Sequence, residues 1–369
     1  MIYKNFKDIK LSNLGLGCMR LPQIEGTNEI DETKTLEMLE VCFKSGINYF
    51  DTAYMYHEGK SEEVIGKLLK NFSRESFYLA SKFPGFSKES FDKKEEIFNE
   101  QLEKCQVEYF DFYLLHNVAE GNLEYYLDEN IGLMKYLLEL KEQGKIKYLG
   151  FSAHGNLDTL NKFLAKYGQY MEFCQLQINY IDWTFQKAKE KVELMKKYNI
   201  PVWVMEPLRG GKLANIREDF YQELVNVRNE TAPAWAFRFL QSIPEVTMIL
   251  SGMSNMEQLV DNINTFSTDN PLNEKEMNVL LEVARKMSNG VPCTECRYCT
   301  SYCPNEIDIP RMIRYVNEES FTGKLSVTYK YIPIEKRAES CIGCRACESV
   351  CPQNIEISEV MQLLASKAK

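Results

Sequence analysis

Long apolar runs are missing from this sequence of 369 residues. The longest of them, such as the run at 110–115, has the length of a β-strand and falls far short of a membrane span. Positive charge is also scarce, because 44 Lys and Arg residues face 53 Asp and Glu residues and leave a net charge of −9. An acidic surface argues against nucleic acid as a partner. We therefore predict a protein that neither crosses a membrane nor binds nucleic acid.

Low-complexity segments and Pro/Gly-rich linkers are also lacking. A hydrophobic content of 44% with 26% charged residues is typical of globular proteins. The length is enough for one large domain and a small one. The turn Asn289-Gly290-Val291-Pro292 marks the boundary and predicts domains at 1–286 and 287–369.

Eight of the twelve cysteines form two copies of the spacing C-x2-C-x2-C-x3-C-P, which end at Pro304 and Pro352. Three closely spaced thiolates can bind three irons of a [4Fe–4S] cluster, and the fourth cysteine usually ligates the other cluster. One such run is also compatible with a zinc site, but two matching copies favour two clusters. The crossed interpretation assigns Cys293, Cys296, Cys299 and Cys351 to one cluster, and Cys341, Cys344, Cys347 and Cys303 to the other.

The other four cysteines are scattered singly among apolar residues: Cys18, Cys42, Cys105 and Cys174. The first residues do not resemble a secretory leader. A disulfide scaffold is therefore disfavoured, and we expect the reducing conditions of a cytoplasm.

Short β-rich apolar runs alternate with amphipathic helical stretches from residue 14 to about residue 265. Eight strands that are each followed by a helix predict an α/β fold, a (β/α)8 TIM barrel. A doubly wound sheet is the alternative, but no G-x-G-x-x-G opens a helix after a strand. The segments 3–6 and 9–11 predict a hairpin that closes the bottom of the barrel. The eight strand candidates are 14–19, 47–51, 77–81, 110–115, 146–151, 173–177, 202–205 and 246–250.

Polar residues follow three consecutive strand candidates. Asp51 ends the second strand and Tyr56 lies five residues further on, while Lys82 and His116 follow the third and fourth strands. In such barrels catalytic groups lie at the C-terminal ends of strands, because the βα-loops form the open face. Each residue alone is compatible with a solvated or helix-capping position. Together they predict a proton-transfer site.

We assign a role in carbonyl reduction to each of these four residues. Tyr56 would be the general acid, with hydride arriving from a bound donor. The unperturbed pKa of a tyrosine is ~10, and the ammonium group of Lys82 is expected to bring it nearer neutrality. Asp51 would hold Lys82, and His116 would orient the substrate carbonyl.

The segment Phe50-Asp51-Thr52-Ala53-Tyr54-Met55-Tyr56, followed by Ser61-Glu62, resembles the D-T-A-x-x-Y…S-E signature of the aldo-keto reductases. Ser81-Lys82 and Leu114-Leu115-His116 are similar to the lysine and histidine positions of that family. The resemblance spans about residues 10–265. With the C-terminal cysteines included, the chain resembles a bacterial and archaeal subgroup that is fused to a 4Fe–4S dicluster domain.

The resemblance also implies a nicotinamide site. Met205 stands where the family commonly has an aromatic ring, and Ala153 stands where an asparagine often follows the serine. Gly252 supplies no cation for a 2′-phosphate, so NAD and NADP both stay open. The implied cofactor residues are Met19, Arg20, Asp51, Ser152, Gln175, Met205, Glu206, Pro207, Leu208, Gly252, Met253, Ser254, Gln258, Asp261 and Asn262.

The tail resembles the α-helical ferredoxins, with helices predicted at 309–319 and 356–367. Because a hydride carries two electrons and a cluster passes one at a time, a flavin is a candidate mediator. Three interpretations follow. The chain couples reduction of a small-molecule substrate to a one-electron carrier protein, or it is an NAD(P)H-dependent reductase whose clusters are structural or redox-sensing. In the third, it is a nicotinamide-sensing module that docks a redox partner.

Overall fold

The computed structural model describes residues 1–185, 187–287, 290–291, 293, 297–351 and 353–368. Ten strands are β1 Tyr3–Phe6, β2 Ile9–Ser12, β3 Leu14–Gly17, β4 Tyr49–Asp51, β5 Tyr78–Phe83, β6 Phe110–Val118, β7 Ile146–Ala153, β8 Phe173–Gln177, β9 Val202–Met205 and β10 Val246–Ser251. The helices are α1 Glu32–Ser45, α2 Ser61–Leu69, α3 Lys88–Asp92, α4 Lys94–Cys105, α5 Leu123–Leu127, α6 Leu133–Glu142, α7 Leu157–Tyr167, α8 Asp182–Phe185, α9 Ala188–Lys197, α10 Glu218–Val225, α11 Ala232–Gln241, α12 Met256–Thr265, α13 Glu274–Met287, α14 Ile309–Thr322 and α15 Ile357–Lys367.

Strands β3 to β10 close into a barrel in chain order, with β10 paired to β3. All pairs within the barrel are parallel. Because the strands are parallel and joined through helices, the C-terminal ends of all eight strands meet at one face of the barrel. The predicted (β/α)8 barrel is therefore confirmed.

The antiparallel hairpin of β1 and β2 carries an aromatic plug for the barrel. Phe6 is buried, and its ring lies 5.0 Å from that of Trp203 and 5.6 Å from that of Phe112. Phe112 and Trp203 lie in the first halves of β6 and β9, so the plug fills the end opposite to the strand C-termini. The predicted hairpin and its place are confirmed.

Two strands extend further than their apolar runs indicate. β5 continues to Phe83 and β6 to Val118, so Lys82 and His116 lie within strands and not after them. Lys82 is buried by its neighbours, which apolar periodicity cannot reveal. Conversely, β3 stops at Gly17, and Cys18–Arg20 form a 3-10 helix where the strand was predicted to continue.

The chain divides into two compact units. The first is formed by Met1–Gly210 and Pro233–Asn273, and the second by Gly211–Ala232 and Glu274–Lys369. The second unit therefore includes α10 and α13 besides the cysteine-rich tail. Of the predicted boundary turn, Asn289 and Pro292 lie outside the described residues.

The tail repeats one backbone design, with each residue 48 positions after its counterpart, as Cys341 follows Cys293. A left-handed arginine follows the second cysteine of each run: Arg297 with φ of 65° and Arg345 with φ of 59°. A 3-10 turn follows the third cysteine of each run, at Thr300–Tyr302 and at Glu348–Val350. Helices α14 and α15 then begin at matching positions, close to the predicted ones. No helix in the described part of the chain is long and apolar enough to cross a membrane.

Candidate active site

The C-terminal ends of β4, β5 and β6 bring four predicted residues together. Lys82 Nζ lies 2.5 Å from Asp51 Oδ1 and 3.2 Å from Tyr56 Oη, and it also donates to the Thr52 carbonyl at 2.8 Å. The Tyr56 ring lies 6.1 Å from the His116 ring. Asp51 and Lys82 are almost fully buried, whereas Tyr56 and His116 are half-buried at the open face. A buried ion pair thus supports a tyrosine hydroxyl that faces the mouth of the barrel.

Charge states at this site follow from burial and from the ion pair. Burial alone would lower the pKa of Lys82, but Asp51 and Tyr56 raise it above its usual value, so this ammonium group is charged. Burial raises the pKa of Asp51, while Lys82 and the nearby Gln175 amide oppose that shift. Burial also raises the pKa of Tyr56, and Lys82 only partly offsets it. Lys82 therefore acts on this pKa in the predicted direction, but desolvation is the larger effect and the pKa of Tyr56 stays above its usual value.

His116 is neutral at this site. Burial lowers the pKa of His116 well below its usual value, and Lys82 and His154 act in the same direction. Its Nδ1 atom is buried and has no hydrogen-bond partner among the described residues. A neutral imidazole next to a protonated tyrosine can hold a carbonyl oxygen without competing for the proton.

The predicted nicotinamide residues Ser152 and Gln175 are paired across β7 and β8, and both are buried. Gln175 Oε1 and Asp51 Oδ2 are buried oxygens without a hydrogen-bond partner in the part of the chain that the structure describes. Buried polar atoms are costly when unpaired, so such atoms at an open face fit a polar ligand. A carboxamide group supplies the donors that they need, and these residues therefore fit a nicotinamide.

The loop after β9 carries the next predicted residues, Met205 to Leu208. Glu206 has φ of 52° and Arg209 has φ of 48°, so two side-chain-bearing residues adopt the left-handed region within four positions. Asn179 supports the loop by donating to the Glu206 carbonyl at 3.2 Å. This backbone holds an open turn at the strand ends, where the resemblance places the pyrophosphate.

Residues after β3 and β10 form one polar corner. Ser254 Oγ donates to the Arg20 carbonyl at 2.9 Å, and Ser254 N donates to Gln258 Oε1 at 2.8 Å. The Arg20 side chain passes so close to Gly252 that a Cβ there would meet it at 3.2 Å. The N-terminus of α12 adjoins this corner, with Asn255 as its cap. A cation and a helix N-terminus together suit an anionic group.

The other predicted cofactor residues differ in their exposure to solvent. Asn262 is buried and donates to Ser251 Oγ at 3.0 Å, and Met253 is buried. Met19, by contrast, is exposed. Asp261 lies on α12, directly before Asn262, and is partly exposed.

In the second unit, four cysteines from both runs line one cavity: Cys303, Cys341, Cys344 and Cys347. That is the ligand set that the crossed interpretation predicts for one cluster. Cys299 and Cys347 belong to the buried core of the tail, against which Cys293 and Cys351 pack. Cys296 lies outside the described residues.

The chemistry of the described cysteines fits a cluster. None of them is in a disulfide. No three His, Cys, Asp or Glu side chains among the described residues are grouped tightly enough for a single metal ion. Thiols outside disulfides are the ligands that a [4Fe–4S] cluster requires.

Sequence reasoning missed the supports of the site. Phe86 is half-exposed and its ring lies 4.9 Å from that of His116. Asn122 and Tyr126 bind the backbone beside His116. Both side chains hold a β-bulge in β6, and no local sequence signal reveals this bulge.

Glu62, in the S-E part of the signature, is a fully buried carboxyl group behind Lys82. Its Oε1 accepts hydrogen bonds from Ser81 Oγ at 2.5 Å and from Gln101 Nε2 at 2.6 Å. Gln101 Nε2 also lies 3.1 Å from the Lys82 carbonyl. Burial raises the pKa of Glu62 to about 7. Between its usual pKa and this value, the folded state holds a proton that the unfolded state has released.

We therefore expect the stability of the barrel to fall as pH rises from about 4.5 to about 7, by roughly 3 kcal/mol from this group. Glu62→Gln should remove most of that slope, because the amide carries no charge at any of these pH values. Urea unfolding at pH 5 and pH 8 measures the difference. Glu63→Gln, an exposed neighbour on α2, is the matched control. A wild-type slope that persists in Glu62→Gln would contradict the expectation.

Residues 13–285 match the model of the aldo/keto reductase family, and residues 292–356 match that of the 4Fe-4S dicluster domain. The chain belongs to the aldo-keto reductase family. It is an oxidoreductase of this family with a C-terminal 4Fe–4S ferredoxin-like domain, as the resemblance implied.

Two relatives agree with this assignment, and a solved structure shares the fold. An uncharacterized oxidoreductase of Bacillus subtilis (strain 168), YqkF, is 28% identical over 304 residues, which are 74% of this chain and 92% of that protein. The NADH-specific methylglyoxal reductase of Escherichia coli (strain K12) is 24% identical over 328 residues, which are 76% of this chain and 97% of that protein. The fold of an aldo-keto reductase from Klebsiella pneumoniae, solved in complex with NADPH, covers 77% of this chain and 96% of its own, with a TM-score of 0.62 and 19% identity.

Proposed function

We propose that this oxidoreductase reduces a small carbonyl compound by hydride transfer, with Tyr56 as the general acid. The observation that carries the proposal is the contact of Lys82 Nζ with both Asp51 Oδ1 and Tyr56 Oη, at 2.5 Å and 3.2 Å, beside a neutral His116. A proton-holding tyrosine next to a fixed cation can release its proton to a developing alkoxide and leave a stabilised phenolate. A non-catalytic sensor has no need for that arrangement.

The residues of the chain divide the work as follows. His116 binds the carbonyl oxygen of the substrate, and Tyr56 Oη donates the proton to the same oxygen. Lys82 stabilises the phenolate that remains, and buried Asp51 fixes Lys82 in place. Phe86 forms an apolar wall next to His116 that excludes water from one side. Together these groups favour the transition state in which negative charge develops on oxygen.

Nicotinamide is the proposed hydride donor. When bound, it supplies a hydride to the carbonyl carbon. Ser152 and Gln175 would hold its carboxamide, while Arg20, Ser254 and the N-terminus of α12 would bind its phosphates. Support comes from the unpaired Gln175 Oε1 and from two similar proteins, the NADH-specific methylglyoxal reductase and the aldo-keto reductase solved with NADPH. NADH and NADPH are both candidate donors, because Gly252 supplies no side-chain cation for a 2′-phosphate.

We further propose two [4Fe–4S] clusters in the tail, held by crossed cysteine sets. Each cluster passes one electron at a time, so a flavin or a one-electron carrier protein would connect them to hydride chemistry. Thiolates and clusters of this kind suit the reducing conditions of a cytoplasm. Clusters that only stabilise the tail are the competing interpretation.

Cluster reduction decides between these interpretations. We expect at least one of four donors, NADH, NADPH, reduced flavin or reduced ferredoxin, to reduce the clusters of anaerobically purified protein, seen as a new EPR signal. The same samples are assayed for reduction of a panel of aldehydes and ketones. If no donor changes the EPR spectrum while carbonyl turnover proceeds with NADH or NADPH, the clusters are structural. If no carbonyl is reduced with any donor, the proposed function is wrong.

A further inference from the structure

The strand that carries His116 contains a β-bulge at the site itself. β6 pairs with β7 from Phe110↔Ile146 to Leu115↔Phe151, and then resumes one residue out of step at Val118↔Ala153. The extra residue falls at His116-Asn117, and Asn117 has φ of 57°. A bulge bends its strand and leaves ladder groups unpaired. The direction of the His116 side chain therefore depends on what holds these two residues.

Side chains from elsewhere bind the backbone of the bulge. Tyr126 Oη donates to the His116 carbonyl at 2.7 Å, and Asn122 Nδ2 donates to the Asn117 carbonyl at 2.9 Å. On the other side, Asn117 N donates to Ser152 Oγ at 2.8 Å. These bonds satisfy backbone groups of the bulge, where the pairing of β6 with β7 is interrupted. The bulge is thus fixed from α5 and the turn that precedes it.

The same two side chains also hold the loop that carries Phe86. Asn122 Nδ2 donates to the Gly85 carbonyl at 2.7 Å. Tyr126 Oη lies so close to Gly85 that a Cβ at this position would be 1.9 Å from it. Phe86 follows directly, with its ring 4.9 Å from that of His116. Asn122 and Tyr126 therefore connect the loop after β5 with the end of β6.

Both supporting side chains are rigidly placed. Tyr126 is buried, with its ring 5.0 Å from that of Phe91. Asn122 is buried, and its Oδ1 accepts from Ala119 N at 2.9 Å, which fixes the orientation of the amide. Buried groups with several partners keep one geometry, as a supporting shell must.

We propose that Asn122 and Tyr126 are positioning residues that set the place of the His116 imidazole relative to Tyr56 and Phe86. They act through the carbonyls of His116, Asn117 and Gly85 and do not touch the reacting atoms. The catalytic consequence rests on the proposed function, whereas the position of the imidazole is a property of the fold.

Loss of the Tyr126 hydroxyl leaves the His116 carbonyl without its donor, so the bulge is free to relax toward a regular ladder. The imidazole would then leave its half-buried position beside the Tyr56 and Phe86 rings and become better hydrated. Because burial and the Lys82 cation disfavour the imidazolium form here, its pKa should rise toward the ordinary value of ~6.5. Misplacement of a substrate-orienting group should also lower kcat about tenfold.

The test uses Tyr126→Phe in the full chain and reads the His116 ring by NMR. The chain has three histidines, and His116→Gln identifies the signal of interest. We expect the ring to stay neutral far below pH 6.5 in the wild type and to titrate near the ordinary value in Tyr126→Phe, with kcat about tenfold lower. Tyr125→Phe, the partly exposed neighbour on α5, is the matched control and should change neither.

A second variant, Asn122→Leu, has a similar size, removes the donor to Gly85 and Asn117 together with the acceptor for Ala119 N, and adds no charge near His116. It should shift the ring titration in the same direction, and it decides the question if Tyr126→Phe does not fold. An unchanged ring titration and kcat in whichever of the two variants fold would overturn the proposal. If the wild type reduces no carbonyl, the proposed function fails, but the ring titration still tests the positioning role.

Discussion

Tyr56→Phe is expected to lower carbonyl reduction by about 10²-fold or more, while cofactor affinity and folding stay nearly unchanged. The substitution removes one hydroxyl group and keeps the ring that packs near His116 at 6.1 Å. Burial raises the pKa of Tyr56, so the wild-type hydroxyl holds its proton at neutral pH and is available as an acid. Without it, the developing alkoxide has no donor next to Lys82.

The measurement is steady-state reduction of whichever carbonyl compound the wild type turns over, with cofactor binding followed by fluorescence. Tyr54→Phe is the matched control, because Tyr54 lies two residues away and donates to Glu100 Oε2 at 2.8 Å. That variant should keep most of its activity. Full turnover by Tyr56→Phe would show that another group supplies the proton and that the assignment of the four residues is mistaken.

The rate of carbonyl reduction is expected to depend only mildly on pH near neutrality. The raised pKa values of Tyr56 and Lys82 keep the first protonated and the second charged through neutral pH. The lowered pKa of His116 keeps it neutral over the same range. Tyr56 is therefore already protonated near neutral pH and can act as the general acid without taking up a proton first.

The sequence reveals the parts of the site that lie next to each other in the chain. Asp51 and Tyr56 share one loop and one motif, and apolar runs of strand length place Lys82 and His116 at neighbouring strands. Parallel order then brings their side chains to one face. Local patterns and a simple topological rule are enough for this much.

The remaining features depend on register and burial. The bulge at His116-Asn117 shifts pairing by one residue, and no residue type in β6 requires it. Tyr126 lies on a five-residue helix without a motif, and Asn122 lies directly before that helix. The upward shift in the pKa of Tyr56 depends on how much of the side chain the fold buries. Residues 211–232 group with the tail although the strand pattern continues around them.

Loss of about half of the iron is expected for Cys303→Ser, from about eight irons per chain in the wild type. Cys303 lines the same cavity as Cys341, Cys344 and Cys347, although it belongs to the other run. The two runs share their left-handed residues and 3-10 turns. Because of this repeat, we expect the second cluster to be held in the same way by Cys293, Cys296, Cys299 and Cys351. Crossing ties both halves of the tail to both clusters, and folding of this unit should then depend on iron.

Pairs of substitutions separate crossed from uncrossed ligation. If Cys303 and Cys341 bind one cluster, the double variant should lose no more iron than either single variant, about four per chain. Cys299→Ser combined with Cys303→Ser should instead damage both clusters. The uncrossed arrangement predicts the reverse for the two pairs. Iron and sulfide analysis with EPR after anaerobic reconstitution gives the counts, and Cys42→Ser, a buried cysteine on α1 of the barrel, is the control that should leave them unchanged.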